Sequence, residues 1–331
     1  MFKNLCPSSL GITGHQSEII ELALTYGFEG MNLDVAEFAS RAKLHGMPYA
    51  RRLIDSAKIR IGAFVLPIDW DTDDDLFAKD VKTLPQLAEA AVEVGCTRCL
   101  ATLSPAGDKR PYHENFEFHR RRFADICKAL EPSGVRFGVG FQAAEYLRKN
   151  QAFQFVHDFD ALTLLITMVD APNMGLLLDT WDLVVGGGSI ENIRNLPPEQ
   201  IVAVQVAEMP ADILPADLDE KCRLLPSSAD TLIDTIAALN ILREIGYDGP
   251  VTVKPSRGIF RSRRREVIVR ETADALDRAW RGERAEAITE SPPTETTETT
   301  ETAETAETTE TAETAEKAET TEKAETAESQ S

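Results

Sequence analysis

The stretch Asn173-Met-Gly-Leu-Leu-Leu-Asp-Thr-Trp-Asp182 decides how the chain folds. Its centre, Met174–Asp179, is a short, continuous apolar run closed by a carboxylate, which is the pattern of a strand covered on both faces. Upstream, Phe159–Val169 has helical spacing; downstream, a short helical Ile190–Leu196 precedes the next apolar run, Val202–Ala207. The same alternation continues in both directions. Strand candidates Lys3–Cys6, Gly30–Asp34, Arg60–Leu66, Arg98–Leu103 and Arg136–Phe141 come before it, and Pro250–Lys254 comes after. Their helical partners are Gln16–Tyr26, Pro48–Ala57, Leu76–Val94, Phe116–Leu130, Asp230–Ile245 and Arg264–Trp280. In Asp230–Ile245 the apolar residues fall at helical spacing and Gly246 supplies a stop. Alternating strands and helices imply parallel strands with crossover helices, and eight such units within residues 1–284 fit an α/β fold of (β/α)8 barrel type. A doubly wound open sheet is the runner-up, but no GxGxxG turn follows the first strand.

The remainder, residues 285–331, reads as a disordered acidic tail. A glutamate falls at every third position from Glu295 to Glu328, a period that matches neither helix nor strand and leaves no apolar face. From Thr289 onward, 13 Glu and 2 Lys hold −11 of the chain's net charge of −20, leaving −9 for a mildly acidic body. Such a body repels phosphate, which argues against nucleic-acid binding. No apolar run reaches the ~20 residues of a membrane helix and the first residues lack a signal-peptide core, so no membrane partner and a cytoplasmic location are expected. The five cysteines are odd in number and scattered. Cys96-x-x-Cys99 has no second pair, so these read as buried thiols rather than a disulfide or zinc framework.

In a barrel of this kind chemistry gathers at the C-terminal ends of the strands. Those ends and the loops after them present Asp34, Asp69-Trp70, Gln142, Asp179, Trp181, Asp182, Gln205, Glu208 and Lys254. Gly186-Gly-Gly-Ser189 offers either amides for an anion or a turn with Ser189 as helix cap.

Several stretches resemble one family. They are Gly27-Phe-Glu-Gly30, Gly95-Cys-Thr-Arg98, Tyr112-His-Glu-Asn-Phe-Glu-Phe-His-Arg-Arg-Arg-Phe123, Asn173 to Trp181, Arg223-Leu-Leu-Pro226, and Ile245-Gly-Tyr-Asp-Gly-Pro-Val-Thr-Val253. Over about Leu5 to Trp280 the chain is similar to the sugar phosphate isomerase/epimerase family, with its xylose isomerase-like barrel. The resemblance implies a divalent metal (Mn, Mg, Co or Zn) held by a Glu, an Asp, a His and a Glu at the ends of strands five to eight. That metal polarises a carbonyl while the glutamates move a proton through an ene-diolate. Carried over by position, those ligands fall on Gly140, Asp179, Gln205 and Lys254, so only Asp179 is retained and no metal site of the usual kind is expected. Asp179 with Lys254 sums to zero charge, so the lysine stands where the cation would.

Three readings stay open. One is an isomerase or epimerase with a metal site rebuilt from Asp179, Asp182 and Glu208. Another is a metal-independent enzyme with Asp179 and Lys254 as catalytic residues, Lys254 acting as general base or Schiff-base amine. The third is a non-catalytic ligand-binding protein. All take a small carbohydrate or polyol at the barrel mouth, with Asp182, Gln205, Glu208, Arg223, Trp181 and His113 as candidate contacts. The resemblance also implies pairing of barrels into a homodimer.

Overall fold

The computed structural model describes residues 1–214 and 217–285; the repeat tail expected from residue 285 lies, apart from its first residue, outside the described residues. Eight parallel strands close into a barrel: β1 Phe2–Leu5, β2 Gly30–Leu33, β3 Arg60–Val65, β4 Arg98–Thr102, β5 Arg136–Gly140, β6 Met174–Asp179, β7 Ile201–Val206 and β8 Pro250–Val253. Each strand pairs with the next in sequence, and β8 returns to β1 through Lys3 beside Val251. The strand candidates match these to within a residue at every end. All six residues of β6 are buried, as a strand with helices outside and a filled barrel inside requires.

Outside the strands run α1 Gln16–Thr25, α2 Val35–His45, α3 Met47–Ala57, α4 Asp74–Asp80, α5 Leu84–Val92, α6 Tyr112–Leu130, α7 Phe159–Val169, a short α8 Thr180–Val185, α9 Thr235–Glu244 and α10 Arg265–Arg281. Four of the expected helices differ; the one expected from Phe116 already starts at Tyr112. Leu76–Val94 is two helices joined by a tighter turn at Val81–Thr83, because Pro85 cannot continue the hydrogen-bond ladder of a preceding helix. The helix expected from Asp230 starts at Thr235, where the Asp234 side chain caps the Ala237 amide. Ile190–Leu196 is a 3₁₀ stretch ending at Asn195, opened by Ser189. Helix α2 was not anticipated; Asp34 caps it by accepting from the Glu37 amide, and Gly46 ends it.

Close packing of the barrel wall depends on small residues. At Gly175 a Cβ would run into the Gln200 carbonyl oxygen, a backbone atom that cannot swing aside. Gly175→Ala is therefore expected to cost about 1–3 kcal/mol of stability, the usual toll of overpacking, despite alanine's smaller unfolded-state entropy. Denaturant titration checks this; an unchanged midpoint would show that the β6–β7 contact yields.

Candidate functional site

The C-terminal ends of β6, β7 and β8 lie side by side, with Asp179 in register with Gln205 and Gln205 with Thr252. Asp179 both ends β6 and caps α8: its Oδ1 accepts the Trp181 and Asp182 amides at 3.0 and 3.3 Å. Its Oδ2 accepts from Arg223 at 2.5 Å and from Lys254 at 2.9 Å. Asp182 accepts from the Ala143 amide at 3.0 Å and from Arg223 at 3.1 Å, and it lies 3.9 Å from the Lys254 ammonium. Two carboxylates and two cations thus form a neutral, largely buried quartet. Burial alone would raise the Asp179 carboxyl, but Arg223 and Lys254 overcome it and hold the group well below the usual carboxylate range. Asp182 moves the other way, pushed up by burial and then by the Asp179 charge.

The two cations differ in what they leave free. Arg223 spends its guanidinium on Asp179, Asp182 and the Lys254 carbonyl, which it meets at 3.1 Å, and stacks over the Trp181 ring at 4.6 Å. Trp181 is itself buried and donates to the Cys222 carbonyl at 3.3 Å, so its face is taken by the arginine. The Lys254 side chain is 26% exposed and, with its single close carboxylate, retains donors for a ligand.

Glu208 sits two residues past β7 and is fully buried. Its carboxylate accepts the Ser227 and Ser228 amides at 2.8 and 2.9 Å, the Thr231 hydroxyl at 3.2 Å and the Thr235 amide at 3.4 Å. It therefore clasps the loop that carries Arg223. His113 is exposed in the first turn of α6 rather than in the preceding loop, edge-on to Tyr112. The amides of Gly186, Gly187 and Gly188 are all bonded to carbonyls of α8, and Ser189 caps the Glu191 amide, so this segment is a turn.

Beside the quartet lies a cavity of about 290 Å³ lined by Ser8, Asn32, Thr102, Trp70 and Gln205 among others. Gln205 is the family-ligand position that opens on it, and its Oε1 is buried without a partner. Beneath runs a polar chain that the sequence reading missed: Asn4 donates to Thr252 at 3.0 Å and to Asn32 at 2.8 Å, and Asn32 donates to the Cys6 sulfur at 3.3 Å. Asparagines inside otherwise apolar strand runs were the available signal. A divalent metal does not fit the donor set here. The one oxygen of Asp179 not used as a helix cap already holds two cations, Gly140 offers no donor, and Asp182 is tied to Ala143 and Arg223. Among the described residues no group of three or more His, Cys, Asp or Glu side chains could hold a metal ion.

His119 is a buried histidine away from this site, stacked on Phe155 with ring centroids 4.7 Å apart. Burial lowers it to about 4, against the pull of the Asn115 carbonyl. The neutral ring folds better than the charged one, so stability is lost as pH falls from 6.5 toward 4. The expected loss between pH 7 and pH 5 is about 2 kcal/mol. His119→Phe should flatten the pH dependence of the urea midpoint over that window; an unchanged slope would assign the acid sensitivity elsewhere. The Cys96 and Cys127 thiols, by contrast, are pushed by burial up to about 12, which keeps them unreactive thiols.

No curated protein gives a significant sequence match. Among solved structures the chain is similar to a xylose isomerase domain protein from Alicyclobacillus acidocaldarius, at 23% identity and TM-score 0.75, covering 84% of this chain and 98% of that one. It is also similar to the IolI protein with a bound zinc atom, at 17% identity and TM-score 0.66, covering 85% and 96% of the two chains. A third likeness is to D-psicose 3-epimerase of Clostridium cellulolyticum H10 in complex with D-tagatose, at 14% identity and TM-score 0.64, covering 86% and 100%. At such identities the likeness is one of fold. A family model described as "Xylose isomerase-like TIM barrel" matches residues 20–279, most of the chain, and the closed parallel barrel agrees with it. The chain belongs to the xylose isomerase-like TIM barrel family.

Proposed function

We propose that this chain binds a small carbohydrate or polyol at the C-terminal mouth of its barrel without a divalent metal. The observation that carries the reading is the unpartnered Gln205 Oε1 in a cavity whose wall mixes Ser8, Ser9, Asn32 and Thr102 with the apolar Val65, Leu66, Leu100 and Leu177 and the Trp70 indole. A buried acceptor left unpaired is costly unless a ligand hydroxyl completes it, and an indole offers the apolar face a sugar ring stacks on. Lys254, on the neighbouring strand end, supplies a fixed positive charge in place of the cation.

The quartet is electrostatic scaffolding rather than a proton relay. A carboxyl held far below its ordinary range is a poor proton acceptor, so Asp179 does not take a proton from a sugar carbon or from Lys254. The Lys254 Nζ is also already engaged by the Asp179 carboxylate at 2.9 Å rather than standing open as a nucleophile. These points favour ligand binding over the metal-dependent isomerase and Schiff-base readings.

Titration calorimetry with hexoses, pentoses and polyols in chelator tests this. Binding should survive chelator, and Gln205→Leu should weaken it about tenfold, equivalent to ~1.4 kcal/mol. Binding that requires added metal would overturn the reading.

A further inference from the structure

A second cavity, of about 500 Å³, lies between the β1–α1 connection, the start of α2 and the end of β3. It is continuous in lining with the first: Ser8, Asn32, Val65 and Leu66 belong to both. The first cavity alone is at the lower edge of the ~300–1,000 Å³ range of ordinary ligand sites, room for one small ring, whereas the two together accept a larger molecule.

The walls of the second cavity have a definite chemistry. Ile12, Ile19, Val35 and Phe38 make it largely apolar. Val65, on the wall both cavities share, is 57% exposed, an apolar side chain left facing solvent where a ligand would cross. Gln16 is only 8% exposed; its Oε1 accepts from Arg41 at 2.6 Å while its Nε2 has no partner. Charge excludes an anion. Asp34 and Glu37 both line the cavity, and the one cation lining it among the described residues, Arg41, is already engaged by Gln16 and Glu37.

Resting on the carbohydrate reading above, we propose that the ligand is a neutral glycoside. Its sugar ring sits in the Gln205 cavity, and a second, uncharged ring lies against Val65 and accepts a hydrogen bond from Gln16 Nε2. The second cavity thereby selects against free monosaccharides on one side and against sugar phosphates on the other, because a phosphate would meet Asp34 and Glu37.

The test compares the common aldo- and ketohexoses as free sugars, as p-nitrophenyl glycosides of both anomers, and as terminal phosphate esters, by calorimetry in chelator. Wild-type protein is set against Ala36→Trp. Ala36 is an exposed residue of α2 that lines the second cavity and not the first, so the indole fills the former alone. A glycoside should bind at least tenfold tighter than its free hexose, the phosphate no tighter, and Ala36→Trp should remove the gain while leaving hexose affinity unchanged. Should that variant not fold, Gln16→Met carries the same comparison, since it removes the free donor without narrowing the cavity. If hexoses bind but glycosides gain nothing, if the gain survives the variant, or if the phosphate ester binds best, this inference is overturned and the central site stands. If no sugar, polyol or glycoside binds, both fall.

Discussion

Arg223→Ala should cost about 3–5 kcal/mol of folding stability, the largest loss expected from any single change at the barrel mouth. In the native protein the guanidinium faces Asp179 and Asp182 together and closes the quartet at zero net charge. Without it, two buried carboxylates share one ammonium, and a full negative charge is left uncompensated in a region where burial already pushes Asp182 up. The deficit has a pH signature. A carboxyl with a raised folded pKa favours folding below its unfolded value and loses that contribution as pH rises, so protonating Asp182 relieves the surplus charge. Asp179 acts in the opposite sense, its depressed value giving stability that fades only in strong acid. The variant should therefore fall furthest behind wild type near pH 8 and recover part of the gap near pH 5. Urea titrations at the two pH values measure this; a gap that widens on acidification would mean that the quartet is not what Arg223 balances. Lys254→Met should lose less, because Asp179 keeps Arg223 and two backbone amides.

The second large effect is at Glu208. Four donors converge on its carboxylate, the Ser227 and Ser228 amides at 2.8 and 2.9 Å and the Thr231 hydroxyl from one loop, and the Thr235 amide from the first residue of α9. Two residues of that loop, Ser227 and Asp230, hold φ of 62° and 49°, a left-handed conformation that non-glycine residues adopt only when their surroundings enforce it. Glu208→Ala strands those donors and releases the constraint. With each stranded buried group costing ~1–3 kcal/mol and water relieving part of it, a loss of about 3 kcal/mol is expected. Limited proteolysis should then cut within 223–234 in the variant and not in wild type. Because Arg223 is carried on the same loop, through the Glu208–Leu224 bridge, ligand affinity should fall as well. Stability loss without loop cleavage would place the role of Glu208 elsewhere.

The barrel itself could be read from the chain because its signal is local. Each strand is a short apolar run bounded by turn residues, and β6 shows the logic at full strength. What escaped was set by competition between neighbours. Helix α2 begins directly at the end of β2, and its Asp34 cap and Gly46 stop were present in the sequence. The crossover holds two helices in succession, and only the one nearer Pro48 was anticipated. At the site, Asp179, Gln205 and Lys254 could be placed because strand ends fix them. The full role of Arg223 could not: it reaches Asp179 across 44 positions through an irregular loop, which no periodicity encodes. Glu208 looked like a mouth residue for the same reason, since strand register does not reveal that a distant loop folds back onto a carboxylate.

The central claim is that two side-chain cations occupy the place of a metal, and metal content tests it most directly. Wild-type protein saturated with Mn²⁺, Co²⁺ or Zn²⁺ and dialysed should retain none, by elemental analysis. Gly140→Glu combined with Lys254→Glu should gain affinity, once Leu177, whose carbonyl oxygen would lie 3.1 Å from the new Cβ, gives way slightly. One tightly held metal ion per wild-type chain would contradict the account.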